Sequence, residues 1–145
     1  MSEPSAEPDQ GPDERITRIA EAQPPFANWL GIELVSYRPD EVVARLRVEP
    51  HHGNRNGMLH GGAVMAFADN LGGTAASLNL PAGAATTTLE SKTNFIRAVR
   101  LGDTVTGTCV PLHRGRTTSV WQTTLTDERG RTVAIVTQTQ ITLHR

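Results

Sequence analysis

Asn54-Arg55-Asn56-Gly57-Met58-Leu59-His60-Gly61-Gly62 leads into Ala63-Val64-Met65-Ala66-Phe67-Ala68-Asp69-Asn70-Leu71-Gly72-Gly73-Thr74-Ala75-Ala76-Ser77-Leu78, and the join between them decides the fold. The second stretch is small and apolar apart from one acid, which predicts a buried helix. Paired glycines ahead of it let the chain turn sharply or let something approach the backbone closely. His60-Gly61-Gly62 therefore falls at a helix N-terminus, where free N–H groups and the positive dipole end favour partial negative charge. Asp69 reads as a lone buried acid mid-helix, where an unpaired carboxylate is costly. A donor site and an acid on one helix suggest catalysis.

At roughly 100° per residue, Val64, Phe67, Ala68, Leu71, Ala75 and Leu78 form a wide apolar stripe that should press on a sheet. Asp69 falls nearly opposite, in line with Gly62, Met65, Gly72, Gly73 and Ala76. That second face is too small and apolar to be solvated, so a second subunit or a ligand is expected on it. Gly62 and Met65 are accordingly candidates to line a substrate. Gly61 and Asp69 stand eight residues apart, about 12 Å along a helix axis. One small reacting group cannot touch both. Two antiparallel copies about a two-fold axis would set Gly61 of one chain near Asp69 of the other, giving two shared sites per dimer.

Residues 1–13 are acidic and Pro-rich and read as a disordered tail, followed by one domain over 14–145. A short helix is expected over 14–22 with Ile16, Ile19 and Ala20 on one face, stopped by Pro24-Pro25. One more turn over 26–30 ends at Gly31. Strand-like runs over 32–37 and 41–48 flank Arg38-Pro39-Asp40, which has hairpin chemistry, and Val42, Ala44, Leu46 and Val48 share one face. The central helix should end near Leu80-Pro81. Four runs rich in Thr, Val and Ile follow, at about 84–97, 103–112, 117–127 and 131–143. Leu101-Gly102-Asp103, Arg114-Gly115-Arg116 and Asp127-Glu128-Arg129-Gly130 separate them as turn signals at hairpin spacing. In the last run Val133, Ile135, Thr137, Thr139, Ile141 and Leu143 alternate with Thr132, Gln138 and Gln140. The expected class is α+β, with an antiparallel sheet of five to six strands wrapped around one long central helix.

At 145 residues the chain supports one domain with a real core. Its net charge of −1, with both signs mixed, gives no footprint for nucleic acid. A single cysteine, Cys109, excludes an internal disulfide framework and a Cys-based zinc site. His51, His52 and His113 lack ligand spacing, so no metal is expected. No apolar run approaches the ~20 residues that span a bilayer. The acidic, Pro-rich start is unlike a secretory signal. A soluble cytoplasmic protein without nucleic-acid or membrane partners is the expectation.

Asn54-x-x-Gly57-x-x-His60-Gly61-Gly62, Ala68-Asp69 and the later Asn94-Phe95-Ile96-Arg97…Leu101-Gly102-Asp103 resemble the PaaI-type acyl-CoA thioesterases of the hotdog-fold superfamily, over about residues 28–143. The resemblance implies a hotdog domain, homodimers that often pair into tetramers, and hydrolysis of an acyl-CoA thioester at the dimer interface. Coenzyme A is then part of the substrate, and no separate cofactor is implied. By the same resemblance Asp69 is the nucleophile or general base, and the Gly61 backbone N–H polarises the thioester carbonyl. Asn54 matches an Asn that holds water or the carbonyl. Thr88, with Thr87 as the alternative, falls near a Ser/Thr that orients the attacking water. The chain departs at Arg97-Ala98, where many relatives have Arg-Pro, which puts the strand end in doubt.

Each candidate also has a plainer reading. His60 fixes the turn by hydrogen bonding or moves a proton. Asn54 is a turn residue or a site residue, and Thr88 is ordinary sheet chemistry or a site hydroxyl. Arg97, Arg100, Arg114 and Arg116 meet the phosphates of coenzyme A or are solvated. Thioester hydrolysis needs an electrophile holder and a carboxylate, and both are present. There is no Gly-x-Ser-x-Gly elbow, and Cys109 sits in a strand-like run without a nearby His. The alternatives are a hotdog protein that binds an acyl-CoA or aromatic ligand without turnover, or a hotdog hydratase or dehydratase. The latter needs an Asp-x-x-x-x-His spacing that is absent around Asp69.

Overall fold

Pro24-Pro25 divides two short helices, α1 (Pro12–Glu21) and α2 (Pro25–Leu30). Proline lacks the N–H and the φ freedom to continue a helix but is well placed to begin one. Gly31 closes α2 at φ 82, in the left-handed region that glycine enters without strain. The computed structural model describes residues 12–144. The tail expected over 1–13 therefore lies outside the described residues up to residue 11, while Pro12 and Asp13 belong to α1.

Six strands follow: β1 (Glu33–Arg38), β2 (Glu41–Arg47), β3 (Ala85–Phe95), β4 (Thr104–Arg114), β5 (Thr118–Thr126) and β6 (Thr132–Leu143). The long helix α3 (Gly61–Leu78) lies between β2 and β3, after a 3-10 turn at Pro50–His52. The strands form one antiparallel sheet in the order β1-β2-β4-β5-β6-β3. The sheet curves around α3, the hotdog arrangement, as the alternation and the resemblance both implied.

Val42, Ala44 and Leu46 of β2, with Val48 just beyond it, point at the helix and are at most 1% exposed. Phe67, Ala68, Leu71 and Ala75 answer them from α3, each wholly buried. Burying Phe67 or Leu71 stabilises the fold by roughly 1.5–3 kcal/mol apiece. Gly107 of β4 permits this contact, because a Cβ there would overlap the Leu71 side chain.

The structure corrects the hairpin expectation and settles two faces that the sequence left open. Leu101-Gly102-Asp103 does not close a hairpin, because β3 pairs with β6 and β4 pairs with β2. The Val48 and Gly102 N–H groups donate to Asp103 and Val48 carbonyls, so β4 leaves this turn alongside β2. In β6 the face toward the helix carries Ala134, Val136, Gln138 and Gln140, while Ile135, Thr137, Thr139 and Ile141 are half-buried on the other side. Finally, the face of α3 opposite the stripe is not uniformly open. Gly72 and Ala76 are buried within the chain, whereas Gly62, Met65 and Asp69 are exposed and Gly73 is half-buried.

Candidate active site

The loop entering α3 is stitched at both ends. His60 N–H donates to the His52 carbonyl (2.8 Å) and Leu59 N–H to the Val99 carbonyl (2.8 Å). Asn54 Oδ1 accepts from the N–H groups of Asn56 (2.9 Å) and Met58 (3.0 Å), an Asx turn that Gly57 completes at φ 73. The structure thus gives Asn54 Oδ1 to the loop backbone. His60 is the N-cap of α3: its Nδ1 accepts the Gly62 N–H at 2.8 Å, and its carbonyl takes those of Ala63 and Val64. A Cβ at Gly62 would sit 3.0 Å from that Nδ1, so glycine preserves the cap. These bonds occupy the neighbouring donors and leave the Gly61 N–H without a protein acceptor among the described residues. Gly61 lines a pocket of about 290 Å³ with Phe95, Ile96, Arg97 and Val99, and the Phe95 ring lies over its Cα.

His52 anchors the start of this loop. It is 2% exposed, and its Nδ1 accepts the Glu49 N–H at 2.9 Å. Burial, then the charge of neighbouring His51, holds its pKa below the ordinary 6.5. A base depressed in the fold contributes its full stability above the unfolded pKa and loses it as pH falls. The protein is therefore expected to lose stability as pH drops below about 6.5, the ordinary value that His52 keeps in the unfolded chain. His52→Asn, which keeps an acceptor for Glu49, should flatten that loss. Denaturation midpoints of the two proteins that stay parallel from pH 8 to pH 5 would show that His52 does not titrate in this way.

Asp69 lies two turns further along α3 and is neither lone nor buried in the chain. Its Oδ1 accepts from Thr88 Oγ1 at 2.9 Å and from Gln138 Nε2 at 3.3 Å. The carboxylate is exposed, and Oδ2 has no hydrogen bond among the described residues. Beside it a pocket of about 380 Å³ is lined by Gln23, Asn70, Thr74, Ser77 and Thr86 together with the apolar Ile19, Ala22 and Pro24. Gln23 Oε1 receives Asn70 Nδ2 (2.9 Å) and closes one wall.

The structure separates Thr88 from Thr87. A bulge at Leu89 changes the phase of β3, so that Thr86 and Thr88 face inward before it and Ser91 and Thr93 after it. Thr87 is exposed and makes no hydrogen bond to Asp69. Met65 is 43% exposed on the same open face as Asp69. Arg97 accompanies Gly61, but Arg114 donates toward Pro39 and Asn79 at the far end of α3, with Arg116 in the turn beyond it. The sequence reading missed Gln23, Gln138 and Gln140. For the last two the signal was present, because both share a strand face with Ala134 and Val136.

Cys109 is buried, and burial pushes its thiol up to about 11, the reverse of what a nucleophile needs. Among the described residues, no helix is long and apolar enough to cross a membrane.

Residues 56–134 match the family model described as Thioesterase superfamily. The chain belongs to that superfamily. A 1,4-dihydroxy-2-naphthoyl-CoA hydrolase of Escherichia coli is 34% identical over 73% of this chain and 77% of its own length. A Vibrio cholerae protein named as an esterase is 48% identical over a shorter stretch, 54% of this chain and 52% of that one. Among solved structures, a thioesterase of Haemophilus influenzae superposes with a TM-score of 0.82 at 28% identity, covering 89% of this chain and 90% of that one. The enzyme class of this superfamily member is thioester hydrolase.

Proposed function

We propose that the protein hydrolyses an acyl-CoA thioester to the free acid and coenzyme A, at two sites shared across a homodimer. The observation that carries this reading is the division of one helix into two incomplete half-sites. A free N–H stands at Gly61 and an anchored carboxylate at Asp69, about 12 Å apart along the axis by their spacing. Each opens into its own pocket. The exposed Met65 and Asp69 on α3, and the unpaired outer edge of β3, support an antiparallel second copy at this face.

In such a dimer the thioester carbonyl oxygen accepts the Gly61 N–H at the helix N-terminus, where negative charge is favoured as it develops. Asp69 Oδ2 attacks the carbonyl carbon or takes a proton from an attacking water, and Thr88 and Gln138 hold Oδ1. Where Asp69 activates water, the water oxygen bonds the carbonyl carbon, the carbon–sulfur bond breaks and coenzyme A leaves as its thiol with the proton that Asp69 took. Where Asp69 attacks, coenzyme A leaves as the thiolate, and water then cleaves the Asp69–acyl anhydride to the free acid, restores the carboxylate and gives the thiolate its proton. The mixed lining beside Asp69, with Ile19, Ala22 and Pro24 among Thr, Ser, Gln and Asn side chains, favours a compact acyl group with both apolar and hydrogen-bonding surface, such as a hydroxylated aryl, over a long alkyl chain. A thiol-release assay over aryl, short and long-chain CoA esters tests this. Release is expected, fastest for the compact polar esters. Tight binding of every ester with no thiol released would make the protein a binder instead, and loss of an enoyl chromophore without thiol would make it a hydratase.

A further inference from the structure

Two amides, Gln138 and Gln140, are buried to 1% exposure on the helix-facing side of β6. Their protons run one way. The Asp69 carboxylate can only accept, so Thr88 Oγ1 must receive Gln140 Nε2, at 2.7 Å, and Gln140 Oε1 is left to accept from Thr86 Oγ1 at 3.0 Å, a hydroxyl that is also 3.0 Å from the Ile141 carbonyl. With its acceptor side taken, Thr88 directs its only proton to Asp69 Oδ1 at 2.9 Å. Gln138 Nε2 reaches the same oxygen at 3.3 Å. It has room to do so because Gly72 carries no side chain: a Cβ there would overlap the Gln138 amide.

We infer that Gln140 and Gln138 are positioning residues of the hydrolase site. They polarise Thr88 and pin Asp69 Oδ1, so that Oδ2 is the oxygen presented to the substrate. This rests on the thioesterase reading of Asp69. Donor chains of this kind are cooperative and fix one rotamer of the group they end on.

The test is a double-mutant cycle on kcat. Gln140→Leu should lower kcat roughly ten-fold, the size of one lost hydrogen bond to an ionised partner network. KM should stay within about two-fold, and Tm should fall slightly, since Thr88 loses one buried partner while Thr86 keeps the Ile141 carbonyl. A purely structural role would instead leave kcat per folded molecule unchanged well below Tm. If Gln140 acts through Thr88, Thr88→Val and the Thr88→Val/Gln140→Leu double variant should have equal kcat, whereas multiplicative losses overturn the relay. Gln140→Met replaces leucine if that variant does not fold. One readout needs no turnover: the Thr88 hydroxyl proton should exchange slowly enough to be seen by NMR in the wild type and vanish in Gln140→Leu. A signal absent from the wild type, or unchanged by the substitution, overturns the inference. If no CoA ester releases thiol while this signal behaves as expected, the hydrolase reading fails and the relay stands.

Discussion

Asp69→Asn is expected to lower kcat by at least ~100-fold, the range for losing a catalytic base or nucleophile, while fold and assembly persist. The substitution is nearly isosteric. Asn Oδ1 can still accept from Thr88 and Gln138, which contact only Oδ1 of the aspartate. What changes is the outward atom, which becomes an amide that can neither attack a thioester nor take a proton from water. Because the carboxylate is exposed in the chain, its loss removes no buried charge. Steady-state kinetics on the best ester of the panel, with a thermal melt beside it, checks the result. Turnover near the wild-type value in a folded variant would remove Asp69 from the chemistry.

Two inactive variants should rescue one another if the site is shared. Gly61→Val places a side chain where the pocket approaches the helix N-terminus and so blocks access to the Gly61 N–H. Its Cβ would lie 3.2 Å from Phe95 Cε1, and that ring is 58% exposed and free to yield, so the variant should fold. In a mixed dimer with Asp69→Asn, one site carries both lesions and the other carries neither. Subunit exchange should restore roughly a quarter of wild-type activity, since about half the dimers are mixed and each has one intact site. Mixtures verified to contain the heterodimer that stay inactive would mean that both groups act from one chain. The axial separation of Gly61 and Asp69 would then have to be bridged by the substrate itself.

The helices, the strands and the apolar faces of α3 and β2 were legible in the chain alone. Helical and strand periodicities are local, so the stripe from Val64 to Leu78 and the alternation from Val42 to Val48 could be read without knowing what they touch, and both are buried as expected. The cap was legible for the same reason: His60 lies two residues from the N–H that it accepts. Tertiary structure decided the surroundings of Asp69. Its donors stand 19 and 69 residues away. Which threonine reaches it depends on the bulge at Leu89, and which face of β6 turns inward depends on pairing with β3 and β5. Strand polarity patterns do not settle such a face when half its residues are Thr and Gln, which pack on either side. Only the folded sheet, laid against a helix with a glycine at position 72, brings the two glutamines to the acid.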